Sequence, residues 1–163
     1  MSELSFSPDQ TRTEMTQIVM PGHCNSLGTA FGGQVMAWID VCAAVSAQRF
    51  SRGSVVTASM DQLDFRVPVK LGDMLVFMSS VNWSGHTSME VGVRAEVENI
   101  QTSVRHHVAT AYLTFVHVDD DGRPLTVPEL LPRTDTDRRR QEAAIIRRDA
   151  RLKTIKAIAK AGL

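Results

Sequence analysis

Asp40 is the only charged residue between Phe31 and Gln48, in a stretch dominated by Ala, Val, Met, Ile, Trp and Cys. A carboxylate in such surroundings is costly unless it is paired, hydrogen-bonded or protonated, because burial disfavours the ionised form. On a helix its i−3, i+3 and i+4 neighbours are Ala37, Ala43 and Ala44, which leave room for another group to approach. Two uses fit: a general base or nucleophile, or a structural carboxylate that accepts hydrogen bonds from nearby backbone or a neighbouring subunit. Just upstream, Gly32-Gly33 lets a group come close to the backbone, and the first amides of a helix lack acceptors within it. Such donors stabilise an oxyanion, although paired glycines also serve simply to start a helix tightly. Along the axis the glycines and Asp40 lie about 10 to 12 Å apart at the helical rise, too far for one carbonyl. If both act on the same bond, they come from different copies of the chain. An antiparallel pair of these helices, a dimer with two sites, meets that requirement.

Other candidates carry less. Cys24 and Cys42 have no evident histidine partner, and small buried thiols are commonly inert. They form no C-x-x-C, give no metal-ligand spacing, and fit a reducing compartment, with the cytoplasm as the default. His106 and His107 point to opposite faces of a strand and cannot share a metal, while His117 lies next to a turn. The sequence contains no G-x-S-x-G, Walker A or G-x-G-x-x-G pattern, which argues against α/β serine hydrolases, P-loop enzymes and Rossmann enzymes.

The elements that must position these residues fit one domain. The chain has 163 residues, 43% hydrophobic and 22% charged, a size and balance that support a single core. No apolar run approaches the roughly 20 residues that span a bilayer, and Met1–Gln10 lacks the pattern of a secretory signal. Net charge is zero, yet residues 1–132 hold 8 Lys/Arg against 14 Asp/Glu and residues 133–163 hold 10 against 4. A tail of charge +6 would attract phosphate-bearing ligands: nucleic acid, a nucleotide-containing molecule, or, most plainly, an acidic neighbour within the protein. Because the tail lacks interleaved aromatics, stacking on single-stranded nucleic acid has little support.

Residues 1–13 read as a flexible arm, 14–132 as the body and 133–163 as a basic C-terminal helix. In the body, Glu14–Met20 alternates and ends at Pro21, as a strand does. From Gly32 to Phe50 the composition favours one helix, apolar on nearly every side, which must be surrounded by protein. Strand-like segments follow over Val55–Phe65, Asp73–Trp83, Ser88–Asn99 and Val104–Val118, separated by turn formers. Ser88–Asn99 has the clearest period of two, with Met89, Val91, Val93, Ala95 and Val97 toward the core and Glu90, Arg94, Glu96 and Glu98 toward water. The expected class is α+β, an antiparallel sheet curled around a single helix. Asp135 or Asp137 can cap a last helix reaching about Ala161, with Ile145, Leu152, Ile155 and Ala159 as a narrow apolar stripe.

The segment Asn25-Ser-Leu-Gly28-Thr-Ala-Phe31-Gly-Gly-Gln-Val-Met36-Ala-Trp-Ile-Asp40 closely resembles the N-x-x-G-x-x-F-G-G-x-x-M-x-x-x-D signature of hotdog-fold acyl-CoA thioesterases. The branch is that of the brain-type cytosolic acyl-CoA hydrolases and their bacterial relatives. Thr57–Asp61, Asp64–Asp73, Gly85–Val91, Ala111–Asp119 and the arginine-rich helix after Arg138 resemble it as well, so the likeness covers about Glu14 to Lys156. The resemblance implies a hotdog fold, five or six antiparallel strands wrapped around a long helix, dimerising edge to edge and often assembling into a hexamer, a trimer of dimers. It implies hydrolysis of acyl-CoA to a carboxylic acid and coenzyme A, which is part of substrate and product and not a separate cofactor; no metal is implied. Asp40 matches the catalytic carboxylate, acting through water or as a nucleophile. Asn25 and the amide of Gly32 or Gly33 match groups contributed from the opposite subunit. Thr57 is a candidate for orienting water or Asp40, or is simply a β-branched strand residue. For the coenzyme A phosphates the candidates are Arg66, Lys70 and the Gly85-His86-Thr87-Ser88 turn. Here the chain departs from the family: a basic residue is frequent at His86, and a neutral imidazole attracts phosphate less. Phe50 likewise stands where histidine is common. The same fold could instead act on an acyl carrier protein, or bind acyl-CoA without turnover; no membrane or nucleic-acid partner is implied.

Overall fold

The computed structural model describes residues 5–61 and 63–162. Helix α1 (Gly32–Ser51) is a single unbroken rod that ends where Arg52 turns left-handed at φ 61°. Around it wraps an antiparallel five-stranded sheet made of β2 (Thr13–Ile18), β3 (Ser54–Met60), β4 (Met74–Ser84), β5 (Ser88–Glu98) and β6 (Arg105–Val118), in the order β2-β4-β5-β6-β3. Two short strands, β1 (Ser5–Phe6) and β7 (Glu129–Leu130), pair in parallel, and helix α2 (Asp135–Lys160) closes the described chain. The architecture is the expected α+β wrap.

Period-two alternation places Leu75, Phe77 and Val81 of β4, Met89, Val91, Val93 and Ala95 of β5, and Ala109, Ala111, Leu113 and Phe115 of β6 on the face toward α1. They close on Val35, Trp38, Ile39, Cys42, Ala43, Ala47 and Phe50 of the helix. Each large side chain fully buried in this way stabilises the fold by about 1.5–3 kcal/mol before its entropy cost. One polar seam crosses this core. Ser46 and Ser79 hydroxyls lie 2.7 Å apart, Ser79 donates to the Cys42 carbonyl at 2.9 Å, and Ser46 donates to Thr13 at 3.0 Å. A buried hydroxyl loses little when paired and much when not, so the seam fixes the rotation of α1 over β2 and β4.

The segment expected to be a flexible arm is, from Ser5 onward, attached. Phe6 is buried edge-on against Phe50 with ring centroids 6.0 Å apart, and the buried Thr11 hydroxyl accepts the Val81 amide at 3.0 Å. A single large aromatic with a buried slot outweighs the polar residues around it, which is why composition misread the segment. Residues 1–4 lie outside the described residues. The strand expected to run to Phe65 stops at Met60, while β2 ends at Ile18, two residues short of expectation.

The outer face of β5 is not uniformly wet either. Glu90 is 4% exposed because α2 lies across it. Arg147 grips its carboxylate with two hydrogen bonds of 3.0 and 2.6 Å and stacks 3.5 Å over the Tyr112 ring. Asn82 adds a third bond to Glu90 at 3.2 Å. Gly92 is required beside it, since a Cβ there would fall 2.6 Å from the Asn82 side-chain nitrogen. The basic tail therefore packs on acidic residues of its own body: Arg147 on Glu90, and Arg151 on Asp61 at 3.1 Å. Ala144 is buried against the sheet and Arg148 stacks 5.1 Å over Trp83 of β4, while the stripe of Ile145, Leu152 and Ile155 is exposed.

Candidate active site

Asp40 projects from the middle of α1 toward the edge strand β3, where the Thr57 hydroxyl donates to its Oδ1 at 2.7 Å. The juxtaposition follows from topology. The chain leaves α1, turns through Gly53 and runs back along the helix as β3, so residues 40 and 57 pass each other. A β-bulge between Thr57 and Ser59 re-aims the strand at this point, as bulges beside functional sites commonly do. Asp40 is half-buried within the single chain, and among the described residues Thr57 is its one hydrogen-bond donor.

The uncovered side of α1 is apolar. Met36 and Val41 are exposed, the latter by 53%, and Phe31, Leu27, Phe65 and Leu71 stand uncovered around the start of the helix. The sequence reading required protein on all sides of α1, and a single chain supplies only one. An apolar patch of this extent marks a contact surface. Phe31 is a fixed position of the signature, whereas Phe65 and Val41 carry no sequence signal beyond the segments in which they lie.

Asn25 lies at the start of α1, away from Asp40. Its Oδ1 accepts the amides of Leu27 at 3.0 Å and Thr29 at 3.2 Å, and its Nδ2 donates to the Thr29 hydroxyl at 3.0 Å. Within one chain it shapes the 25–29 turn, in which Gly28 adopts φ +73°. That turn is tied to the next segment by Ala30 N to Val69 O at 2.7 Å and Leu71 N to Gly28 O at 3.2 Å, which brings Lys70 beside it. Gly32 faces Phe65, whose ring would lie 3.6 Å from an added Cβ. Neither Gly32 nor Gly33 has an acceptor for its amide within the helix, by its position in the first turn. Arg66 follows Phe65, is exposed, and is anchored through its backbone amide to Val108 O at 2.8 Å.

The Gly85–Ser88 turn closes the β4–β5 hairpin through Gly85 N to Ser88 O at 2.8 Å. The pairing Ser88↔Val116↔Val56 puts it at the end of the sheet where β3 begins. His86 is exposed on this turn, and its carbonyl accepts the Val127 amide at 2.9 Å.

The predicted residues thus form two groups in one chain. Asn25, Gly32, Gly33 and Lys70 cluster around the start of α1, whereas Arg66 is tied to β6, with its charge felt at His107. Asp40 and Thr57 sit at its middle, with the 85–88 turn farther on. Because α1 is continuous, the two groups keep the separation of about 10 to 12 Å inferred from the helical rise. The cysteines stand apart from this chemistry. Burial pushes the Cys42 thiol upward despite its hydrogen bond to Ser79, which makes a poor nucleophile. Phe50, where the family often has histidine, is fully buried against Phe6 and serves packing.

Known proteins share both the fold and this residue pattern. The thioesterase superfamily domain matches residues 27–104. An uncharacterized acyl-CoA thioester hydrolase of Bacillus subtilis is 38% identical over 142 residues, covering 87% of this chain and 83% of that protein. The acetyl-coenzyme A thioesterase of mouse is 39% identical over 145 residues, but the chain spans only 26% of its length. Among solved structures, an acyl-CoA hydrolase from Staphylococcus aureus in complex with butyryl coenzyme A, coenzyme A and coenzyme A disulfide superimposes with a TM-score of 0.87. It is 34% identical, over 98% of this chain and 100% of that one. An apo-hexameric acyl-CoA thioesterase gives a TM-score of 0.88 at 40% identity, over 93% and 97%. The Staphylococcus aureus enzyme has also been solved with an Asn, an Asp and a Thr each changed to Ala, and these are spaced as Asn25, Asp40 and Thr57 are. With this fold, this motif and these relatives, the chain belongs to the thioesterase superfamily, in its hotdog acyl-CoA thioesterase branch.

Proposed function

We propose that the protein hydrolyses acyl-CoA thioesters to the free carboxylic acid and coenzyme A, with Asp40 as general base or nucleophile. The observation that carries this reading is the 2.7 Å hydrogen bond from Thr57 to Asp40 Oδ1. It holds the carboxylate in one orientation and leaves the other oxygen for water or for the substrate carbon. In the first route Asp40 takes a proton from water as the oxygen attacks the thioester carbonyl. The tetrahedral oxyanion then collapses, the C–S bond breaks, and coenzyme A leaves as a thiolate. In the second, Asp40 attacks directly, a mixed anhydride forms as the thiolate leaves, and water cleaves it. A thiol with a pKa near 8.5 leaves readily, so neither route needs a histidine acid.

The oxyanion donors come from a second copy. Its Gly32 or Gly33 amide stabilises the developing charge, and its Asn25 offers the Nδ2 hydrogen not used by Thr29 to water or carbonyl. The uncovered apolar face of α1 and the open edge of β3 support a dimer formed by antiparallel β3 pairing, which continues the sheet across both copies. The hexameric neighbour supports further assembly as a trimer of dimers. Arg66, Lys70 and the Gly85-His86-Thr87-Ser88 turn hold the nucleotide phosphates at the exposed ends of the site. Two free cysteines support a reducing, cytoplasmic location, and among the described residues no helix is long and apolar enough to cross a membrane.

The test is thiolate release from acyl-CoAs of increasing chain length, comparing wild type with Asp40→Asn. Expected is wild-type turnover reduced at least about 10²-fold in a variant that keeps its fold and assembly. A folded wild type inert toward every acyl-CoA overturns the proposal and favours a carrier-protein substrate or simple binding.

A further inference from the structure

We infer that the C-terminal half of α2, Leu152–Lys160, docks on the outer face of the sheet of a second copy, across the β3 edge. The inference rests on the edge-to-edge dimer of the proposed function and adds a second contact to it.

The path of α2 is fixed by its partners. Arg139 and Arg140 share a cleft with Glu14 of β2 and Met78 of β4. Farther along, Arg147 holds Glu90 of β5 and stacks on Tyr112 of β6, and Arg151 reaches Asp61, just past the end of β3. The helix therefore runs over the outer face from β4, past Glu90 of β5 and Tyr112 of β6, to Asp61 beside the end of β3. At Arg151 the sheet of this chain ends. The helix does not: residues 152–160 are all exposed and extend about 14 Å farther.

The overhang is amphipathic in register with the part already docked. From Arg147 and Arg151, which face the sheet, steps of four and three residues lead to Ile155 and Ile158, with Leu152 and Ala159 alongside. Ile155 is 56% exposed, and Leu152 and Ile158 are uncovered as well. The same side of the helix that meets this chain's sheet thus becomes apolar where that sheet runs out. An antiparallel β3–β3 pairing places a continuing sheet there.

The receiving surface has matching chemistry. In that pairing the end of one β3 lies beside the start of the other, so the overhang passes over Val56 of β3 and Thr114 and Val116 of β6 in the second copy. Val56 is exposed on the outer face in the single chain. At that end of the sheet β6 runs into Asp119, Asp120 and Asp121, opposite the overhang's Lys153, Lys156 and Lys160. Two copies make the contact twice, as an isologous interface requires.

The test is sedimentation of the full chain across a dilution series, against a chain ended after Arg151 and against Ile155→Asp/Ile158→Asp. Expected is self-association weakened at least about tenfold in both, as loss of a buried apolar anchor predicts. Zero-length cross-linking of mixed isotope-labelled and unlabelled copies is expected to join Lys153, Lys156 or Lys160 of one to Asp119–Asp121 of another. Unchanged association in both variants overturns the inference while leaving the dimer intact. Binding of wild type to phosphatidylglycerol vesicles, lost in the double variant with association unchanged, assigns the stripe to a lipid surface and overturns it too. A wild type that sediments as a monomer at every concentration sinks the shared-site dimer itself.

Discussion

At the scale of residues, the geometry separates the carboxylate from the group that aims it. In the proposed mechanism only one orientation of Asp40 turns its free oxygen toward a bound carbonyl, and the 2.7 Å bond from the Thr57 hydroxyl would select it. Thr57→Val keeps the branched shape of the strand residue and removes the donor. We expect kcat to fall about 10- to 100-fold with KM little changed, because orientation is realised mainly in the transition state. Thr57→Ser, which restores the hydroxyl, is expected to recover much of the loss; steady-state kinetics on a hydrolysed acyl-CoA decides it. A Thr57→Val enzyme with normal kcat would make the hydrogen bond incidental. These residues were unequally legible in the sequence. Asp40 stands out as a lone charge among apolar neighbours. Thr57 does not, because a threonine on a strand needs no further reason. Asn25 was visible only through the family motif: within one chain its carboxamide does the ordinary work of closing a turn.

At the scale of elements, α2 is held by a buried charge that only it neutralises. Glu90 has two hydrogen bonds from Arg147 and one from Asn82. Arg147→Ala leaves that carboxylate buried with its one strong partner gone, and the expected cost is about 3 kcal/mol in urea unfolding at fixed protein concentration. Pairing the change with Glu90→Gln is expected to return part of the loss, since the group left behind is then neutral. Equal losses in the single and paired variants would mean that packing on Tyr112 carries the contact instead of charge. The limits of α2 were legible to within a residue, but its cap is Thr134 and not Asp135 or Asp137: the Thr134 hydroxyl accepts the Asp137 amide at 3.1 Å, and Asp137, inside the first turn, accepts the Thr134 amide at 3.0 Å. Its packing face was not. An apolar stripe was the natural choice, but the sheet beneath offers Glu90, Asp61 and Tyr112, and arginine stems satisfy both the charges and the apolar surface. The same blindness to partners hid the docking of the N-terminal segment, whose single buried aromatic, Phe6, depends on a slot built by residues far along the chain.

At the scale of the whole molecule, the proposed mechanism draws on groups that one chain keeps apart. Those at the start of α1 and those at its middle are fixed on the same rigid helix, so no rotamer change brings them together, whereas the proposed antiparallel second copy would do so twice. This predicts complementation between inactive proteins. Asp40→Asn retains Asn25, and Asn25→Ala retains Asp40. In a mixed dimer, one site receives Asp40 from the second protein and Asn25 from the first and is wild type in composition, while the other carries both defects. After complete exchange of subunits, half the dimers are mixed and each holds one intact site, so activity should rise from near zero to about a quarter of the wild-type value. The measurement is thiolate release after co-refolding the two variants in equal amounts, with each refolded alone as the control. Sites assembled within single chains would yield no recovery at any mixing ratio, because every site would then carry one of the two lesions.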